Sequence, residues 1–549
     1  MAIAGISAVA LVATACGGGD NSSGSDGGGD GAAATGGEII ARGCENQNPL
    51  IPGDTGESCG HDVVELFTST LFRYNPETSE PENDLAESVE TEDNQNFTVK
   101  IKPDVKFHDG TPVTAESFVK AWNYTANAAN AQYLSYFMEP IEGFADLQSE
   151  DPDGDGPKEA PEPKETEMSG LKVVDDTTFT IKTTEPVSNL PVRLGYTAFA
   201  PLPEVFFEKG AEEFAKKPVG AGPYMVESFS QGDETVLTKF ADYGGGTAKG
   251  NADKITFRVY DESDAAYNDL LAGNIDTIDE IPSGQLVDDQ WKSDLGDRVA
   301  EEAYPAIQTV TVAPEKTSPE YKDPKLRQAI SMAIDRQKII DDQFQGAREP
   351  ATGWVAPGVT GFKGGACGEY CEYDAEKAKQ LFDEAGGFDG KLTISYNADA
   401  DHKAWVEATC NSIKGALGVD CVATPVPDFA TFREQIGEEK MKGMFRSGWI
   451  ADYPHIENFL TPLYATGGSS NDSKYSDEDF DAKLVEAGKL EEDESNAAYQ
   501  EAEAMLAEDM GSIPMWYYTA QVGWSDKLDN VKISKASGRI DLLNASVKQ

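Results

Sequence analysis

Apolar and polar residues alternate along Phe97-Thr98-Val99-Lys100-Ile101-Lys102, the two-residue period of a half-buried strand. Val173 to Lys182 predicts a hairpin arm and its partner, and further strands are expected at 236–240, 255–260, 309–312, 392–396 and 422–426. Elsewhere the period is helical. Asp323 caps a helix with Pro324 in its first turn, running toward Gly346 with Leu326, Ile330, Ala333 and Ile334 on one face. A second helix starts after Asp374, gathers Ala375, Ala378, Leu381, Phe382 and Ala385, and stops at Gly386-Gly387. Thr114 caps a third that carries Phe118, Ala121 and Trp122. Interleaved strands and helices predict an α/β protein.

Three segments stand outside this pattern. Residues 1–15 are an apolar run of signal-peptide length, too short to span a bilayer. The sequence Ala13-Thr14-Ala15-Cys16 resembles a bacterial lipobox, which implies a signal peptide over 1–15 and an acylated (palmitate-bearing) Cys16. Residues 16–38 read as a tether, because Gly, Ser, Asp, Asn and Ala cannot bury enough apolar surface to fold. No other segment approaches 18 apolar residues, so no transmembrane helix is expected in the mature chain. The third segment is a Pro- and acid-rich insert. Asp151, Asp153, Asp155 and Glu162 have the spacing of a calcium loop, but Lys158 replaces an apolar residue and Pro157 and Pro161 oppose the exiting helix. A solvated acidic loop is the expectation there.

Length and composition bound the rest. A chain of 549 residues exceeds one ordinary core and divides into lobes, and 39% hydrophobic residues suffice to pack them. The net charge of -52 excludes nucleic acid and an anionic membrane surface as partners. It fits a self-repelling soluble surface, or a bias toward cationic ligands. Apart from Cys16, six cysteines form local pairs, Cys44–Cys59, Cys367–Cys371 and Cys410–Cys421, the simplest of 15 connectivities. Disulfides imply an oxidising, extracytoplasmic compartment. The rival, a metal site, lacks clustered histidines, of which there are four in the chain.

Six segments, in order, resemble the solute-binding proteins of the peptide, dipeptide and nickel import family: Glu65 to Tyr74, Val105 to Phe118, Pro218 to Tyr224, Leu270 to Asp276, Asp323 to Arg336 and Tyr373 to Phe382. The resemblance spans about residues 60–520. It implies a two-lobed periplasmic-binding-protein fold with a hinge between the lobes. Lobe I would comprise 39–305 plus 510–549, with an extra subdomain near 80–215, and lobe II 306–509. It also implies a monomeric, lipid-anchored protein on the outer face of the cell membrane that needs no cofactor and hands short peptides to the permease subunits of an ABC importer. Within the motifs, His108 reads as a turn-packed residue, and Gly220 and Gly222 as a tight turn that lacks the Lys-Ser/Thr of a phosphate loop.

Arg446-Ser447-Gly448-Trp449-Ile450-Ala451-Asp452-Tyr453-Pro454 looks like the pocket motif of oligopeptide- and dipeptide-binding members. The resemblance implies that Asp452 meets the ligand's α-ammonium and Arg446 its carboxylate, since burying either terminus unpaired is costly. Trp449 and Tyr453 would flank side-chain pockets, Asn471 and Tyr475 would line the site, and Tyr133 and Tyr136 would reach it from the subdomain. After Pro454 the chain departs from many relatives, with His455-Ile456 in place of an acidic residue and Pro. Nickel chelate, haem, oligosaccharide and opine-like solutes stay open as ligands of the same fold. No nucleophile elbow, His-Glu-x-x-His or dinucleotide fingerprint points to an enzyme, leaving a carboxylate-based hydrolase as the remote rival.

Overall fold

The structure, a computed structural model, describes residues 36–548 except Gln47, residues 150–162, Thr247, Asp261 and Asp399. The apolar leader, Cys16, most of the tether and the acidic insert with Asp151, Asp153, Asp155 and Glu162 lie outside the described residues. Chain order begins slightly before the expected lobe start: Gly36 N donates to Asn251 O, and the first strand is Glu38–Gly43.

Two antiparallel strands, Val299–Val312 and Ser512–Trp524, are far longer than the rest and cross the middle of one mixed sheet. Beyond Val299–Val312 the order is Met444–Ile450, Leu392–Asn397 and Cys421–Val426. Beyond Ser512–Trp524 it is Thr277–Ile278, Glu38–Gly43, Lys254–Val259, Glu234–Lys239 and Tyr224–Ser230. Local pattern foresaw only residues 309–312 of the first long strand, because Glu301, Glu302 and Pro305 interrupt the alternation. The strand survives by shifting register between Ala303 and Ile307, a bulge that absorbs the residue with no N–H to donate.

Each end of the sheet has its own core. One joins Val310, Ile330, Trp354, Trp405, Phe459 and Trp516, and the other Ile39, Val64, Phe67, Ile255 and Leu543. A third core lies under a four-stranded antiparallel sheet of Ala86–Thr91, Asn96–Ile101, Thr178–Lys182 and Leu171–Asp175. There Trp122 packs edge-on against Phe179 and Phe199, and its indole N–H reaches Phe199 O at 2.9 Å.

Helix starts follow the expected caps. Thr114 and Ser117 form a capping box at Ala115–Ala126, Asp323 accepts from Lys325 N, and Asp374 accepts from Glu376 N and Lys377 N. The helix from Pro324 does not continue to Gly346. It ends at Met332, and Asp335 caps a new helix, Arg336–Phe344, by accepting from Lys338 N. A short side chain that competes for backbone N–H groups favours a fresh start over continuation. Disulfides join Cys44 to Cys59, Cys367 to Cys371 and Cys410 to Cys421.

Candidate functional site

A cavity of about 920 Å³ lies across the two long strands. Tyr304, Trp516 and Tyr518 form part of its floor, and both ends of the sheet supply walls, with Asp62, Tyr74 and Tyr196 on one side and Phe344, Trp405 and Asp452 on the other. This size suits a small organic ligand. Among the described lining residues nine are Asp or Glu, three are Arg and none is Lys. Two of the arginines are already engaged: Arg73 lies 3.7 Å from Asp84 and 3.8 Å from Glu65, and Arg539 lies 3.7 Å from Asp62. Burial pushes the Asp279 carboxyl up to about 6, and Arg539 only partly offsets it. The cavity is therefore electronegative and favours a cationic group.

Asp452 sits just past the strand Met444–Ile450 and faces the cavity. Asn458 grips it twice: its Nδ2 donates to Asp452 Oδ2 at 3.0 Å, and its Oδ1 accepts from Asp452 N at 2.8 Å. The same Oδ1 accepts from Trp449 Nε1 at 3.0 Å. From the short 3-10 helix Ser135–Met138 the Tyr136 hydroxyl donates to Asp452 Oδ2 at 3.3 Å. No cation among the described residues pairs with this carboxylate, and burial, only partly countered by these hydrogen bonds, raises its pKa to about 6. Burial first, and the Asp452 charge second, hold the hydroxyls of Tyr74, Tyr136 and Tyr196 well above their ordinary value, so they remain neutral donors. The arrangement is a carboxylate oriented by amide and phenol groups, with its charge left for a cation to neutralise.

The other residues singled out in the sequence have different surroundings. Arg446 donates from Nε to Asn397 Oδ1 at 2.8 Å and stacks over Phe429 and Phe432, away from the cavity lining. Trp449 packs against the core that contains Val310, Trp354 and Trp405. Tyr453 is buried, with Arg193 over its ring and its hydroxyl on Glu457. Asn471 closes a loop through Ala465 O and Tyr475 O, and Tyr475 packs edge-on against Phe480. Tyr133 is exposed. None of these six residues lines the cavity, while Asp452 does and meets Tyr136. His455 is buried at a junction with Asn189 and Glu457, and burial lowers its pKa to about 4. Glu457 also binds Arg193 at 2.9 Å.

Local pattern did not point to Asn458, Tyr74 or Tyr196. Asn458 lies on the next helix, Glu457–Tyr464, where no spacing rule ties it to Asp452. Tyr74 closes the first of the six resembling segments, so that signal was present but carried no orientation.

Comparison with known proteins identifies the family and the fold. The family model for bacterial extracellular solute-binding proteins, family 5 Middle, matches residues 80–471. The periplasmic oligopeptide-binding protein OppA of Escherichia coli is 27% identical over 451 residues, covering 80% of this chain and 79% of OppA. The structure of the E. coli murein tripeptide binding protein MppA superposes with a TM-score of 0.78 at 22% identity, over 94% of this chain and 99% of MppA. Haemophilus influenzae OppA in complex with RPPGFSPFR superposes with a TM-score of 0.76 at 21% identity, over 94% of this chain and all (100%) of that one. The fold is the two-lobed one of periplasmic binding proteins. The chain belongs to family 5 of the bacterial extracellular solute-binding proteins, which are binding proteins and not enzymes.

Proposed function

We propose that this protein captures short peptides between its lobes and delivers them to the permease of an ABC importer, with Asp452 receiving the peptide's α-ammonium group. The observation that carries the proposal is the carboxylate itself: it lines the cavity, is oriented by Asn458 and Tyr136, and has no cationic partner among the described residues. An ammonium group satisfies that need at once. The relatives named above, which include oligopeptide and murein tripeptide binders, support the same ligand class. In this proposal lobe I comprises 39–305 and 510–549 and lobe II 306–509, with the two long strands as the hinge. A lipid on Cys16 holds the body at the outer membrane face.

The test begins with a synthetic mixture of di- to hexapeptides, from which native mass spectrometry identifies the species retained. The retained peptide is then titrated free and N-acetylated against wild type and Asp452→Asn. Each change alone weakens binding by about 2–5 kcal/mol, at least tenfold. Together they cost little more than either, because both delete one interaction. Equal affinity of wild type for the free and acetylated peptides refutes the amine role of Asp452.

A further inference from the structure

The same cavity holds a cation that no described residue neutralises. Arg348 lines it from the short strand Arg348–Pro350, which pairs with the second long strand through Arg348 opposite Tyr518. Its guanidinium lies 4.2 Å above the Tyr518 ring and 5.1 Å from the Phe344 ring. Yet it makes no ion pair or side-chain hydrogen bond with any described residue, and its Nε is buried with no acceptor. In a cavity crowded with carboxylates, the other two arginines are paired and this one is not. A second donor shares the defect. The indole N–H of Trp516, a residue 1% exposed, also lines the cavity without a hydrogen-bond partner, and its ring packs 5.1 Å from Phe344. Buried donors of this kind are uncommon, and each asks for an acceptor. Two donors, one cationic, grouped around one phenylalanine call for an anion.

We propose that Arg348, with Trp516 Nε1–H beside Phe344, receives the carboxylate terminus of the peptide whose amino terminus Asp452 holds. The inference rests on the peptide reading given above and transfers the carboxylate role from Arg446 to Arg348. Sheet geometry sets the ligand's length. The strand Met444–Ile450 that leads to Asp452 is separated from Arg348–Pro350 by the two long strands, and Ile450 opposite Ala306 and Tyr518 opposite Arg348 lie near one row. Three strand spacings amount to about 14 Å. An extended peptide advances about 3.3–3.6 Å per residue, so about four residues bridge the two backbones and fewer suffice once the side chains reach inward. The site therefore selects zwitterionic peptides of about two to four residues and rejects longer ones, whose carboxylate would overshoot Arg348. The planar guanidinium stacked on Tyr518 is held ready for a two-point contact with a carboxylate.

The retained peptide and its C-terminal amide are titrated against wild type, Arg348→Met, Arg348→Lys and Arg446→Met, with thermal unfolding confirming that each variant is folded. Amidation should weaken wild-type binding at least tenfold and leave Arg348→Met affinity unchanged within twofold. Arg348→Lys should keep part of the discrimination, and Arg446→Met all of it. The proposal is overturned if amidation costs wild type nothing, or costs Arg348→Met as much as wild type, or if Arg446→Met is the variant that loses the effect. An N-acetylation penalty that persists in any of those outcomes leaves the Asp452 reading standing, whereas failure of wild type to retain any peptide removes both.

Discussion

At the scale of single residues, Asp452 is a carboxylate set in place by one amide. Asn458 uses both ends of its side chain on Asp452 and ties Trp449 into the same node, so Trp449 acts by positioning. The raised pKa gives a signed pH dependence. Burial lifts the free-protein value from 3.8 to about 6, so ionised Asp452 opposes folding, a cost absent at pH 4 and fully present above pH 6. A bound ammonium reverses the balance by favouring the ionised form. Affinity should thus be full above about pH 6 and fall by up to about tenfold per pH unit below it, down to the bound-state pKa. Calorimetric titration of the retained peptide at pH 5.0 and 7.5 checks this. Asp279 titrates in the same range, so the slope that disappears in Asp452→Asn is the part owned by Asp452.

At the scale of elements, the segments that carry the family resemblance turn out to be each other's neighbours. Gly222 N donates to Phe67 O at 2.9 Å, and His108 accepts from Gly220 N at 3.2 Å while its other ring nitrogen meets Gly222 O at 3.0 Å. Three stretches far apart in sequence thus form one joint, and burial drops the His108 pKa to about 4, as suits a neutral packing residue. A Cβ at Gly222 would lie 2.5 Å from the Phe67 carbonyl carbon and 2.6 Å from Leu66 O, contacts that backbone cannot relieve cheaply. Gly222→Ala should destabilise the protein by about 1–3 kcal/mol, read as a lower denaturant midpoint. The fourth segment is tied to elements outside the six: Asp276, 3% exposed, accepts from Ile40 N at 2.9 Å and pairs with Lys527 Nζ at 2.8 Å, stitching the chain's C-terminal part to its first strand. Periodicity located these elements because caps and apolar faces are local. It missed most of the long strands, where Pro305 and a run of acids hide a continuity maintained by pairing on both sides.

At the scale of the molecule, two cores on either side of a shared pair of strands make a cleft that can close on a ligand. The proposed anchoring has its own test. Cys16→Ala should move the protein from the membrane fraction to the soluble one, and equal partitioning of the two forms would remove the lipid from the proposal. The sequence alone sufficed for the α/β class, the helix caps and the family motifs, because each is written in residues close together along the chain or in a motif of fixed order. Only the tertiary structure decided which side chains reach the cavity. The pocket motif pointed to Arg446 as the carboxylate partner, and nothing in the sequence singled out Arg348, 98 positions away. Cross-strand register brings Arg348 onto the floor beside Tyr518, while packing draws Arg446 aside to Asn397, Phe429 and Phe432. A side chain's direction depends on which strand lies next to its own, and that neighbour is chosen by the fold as a whole.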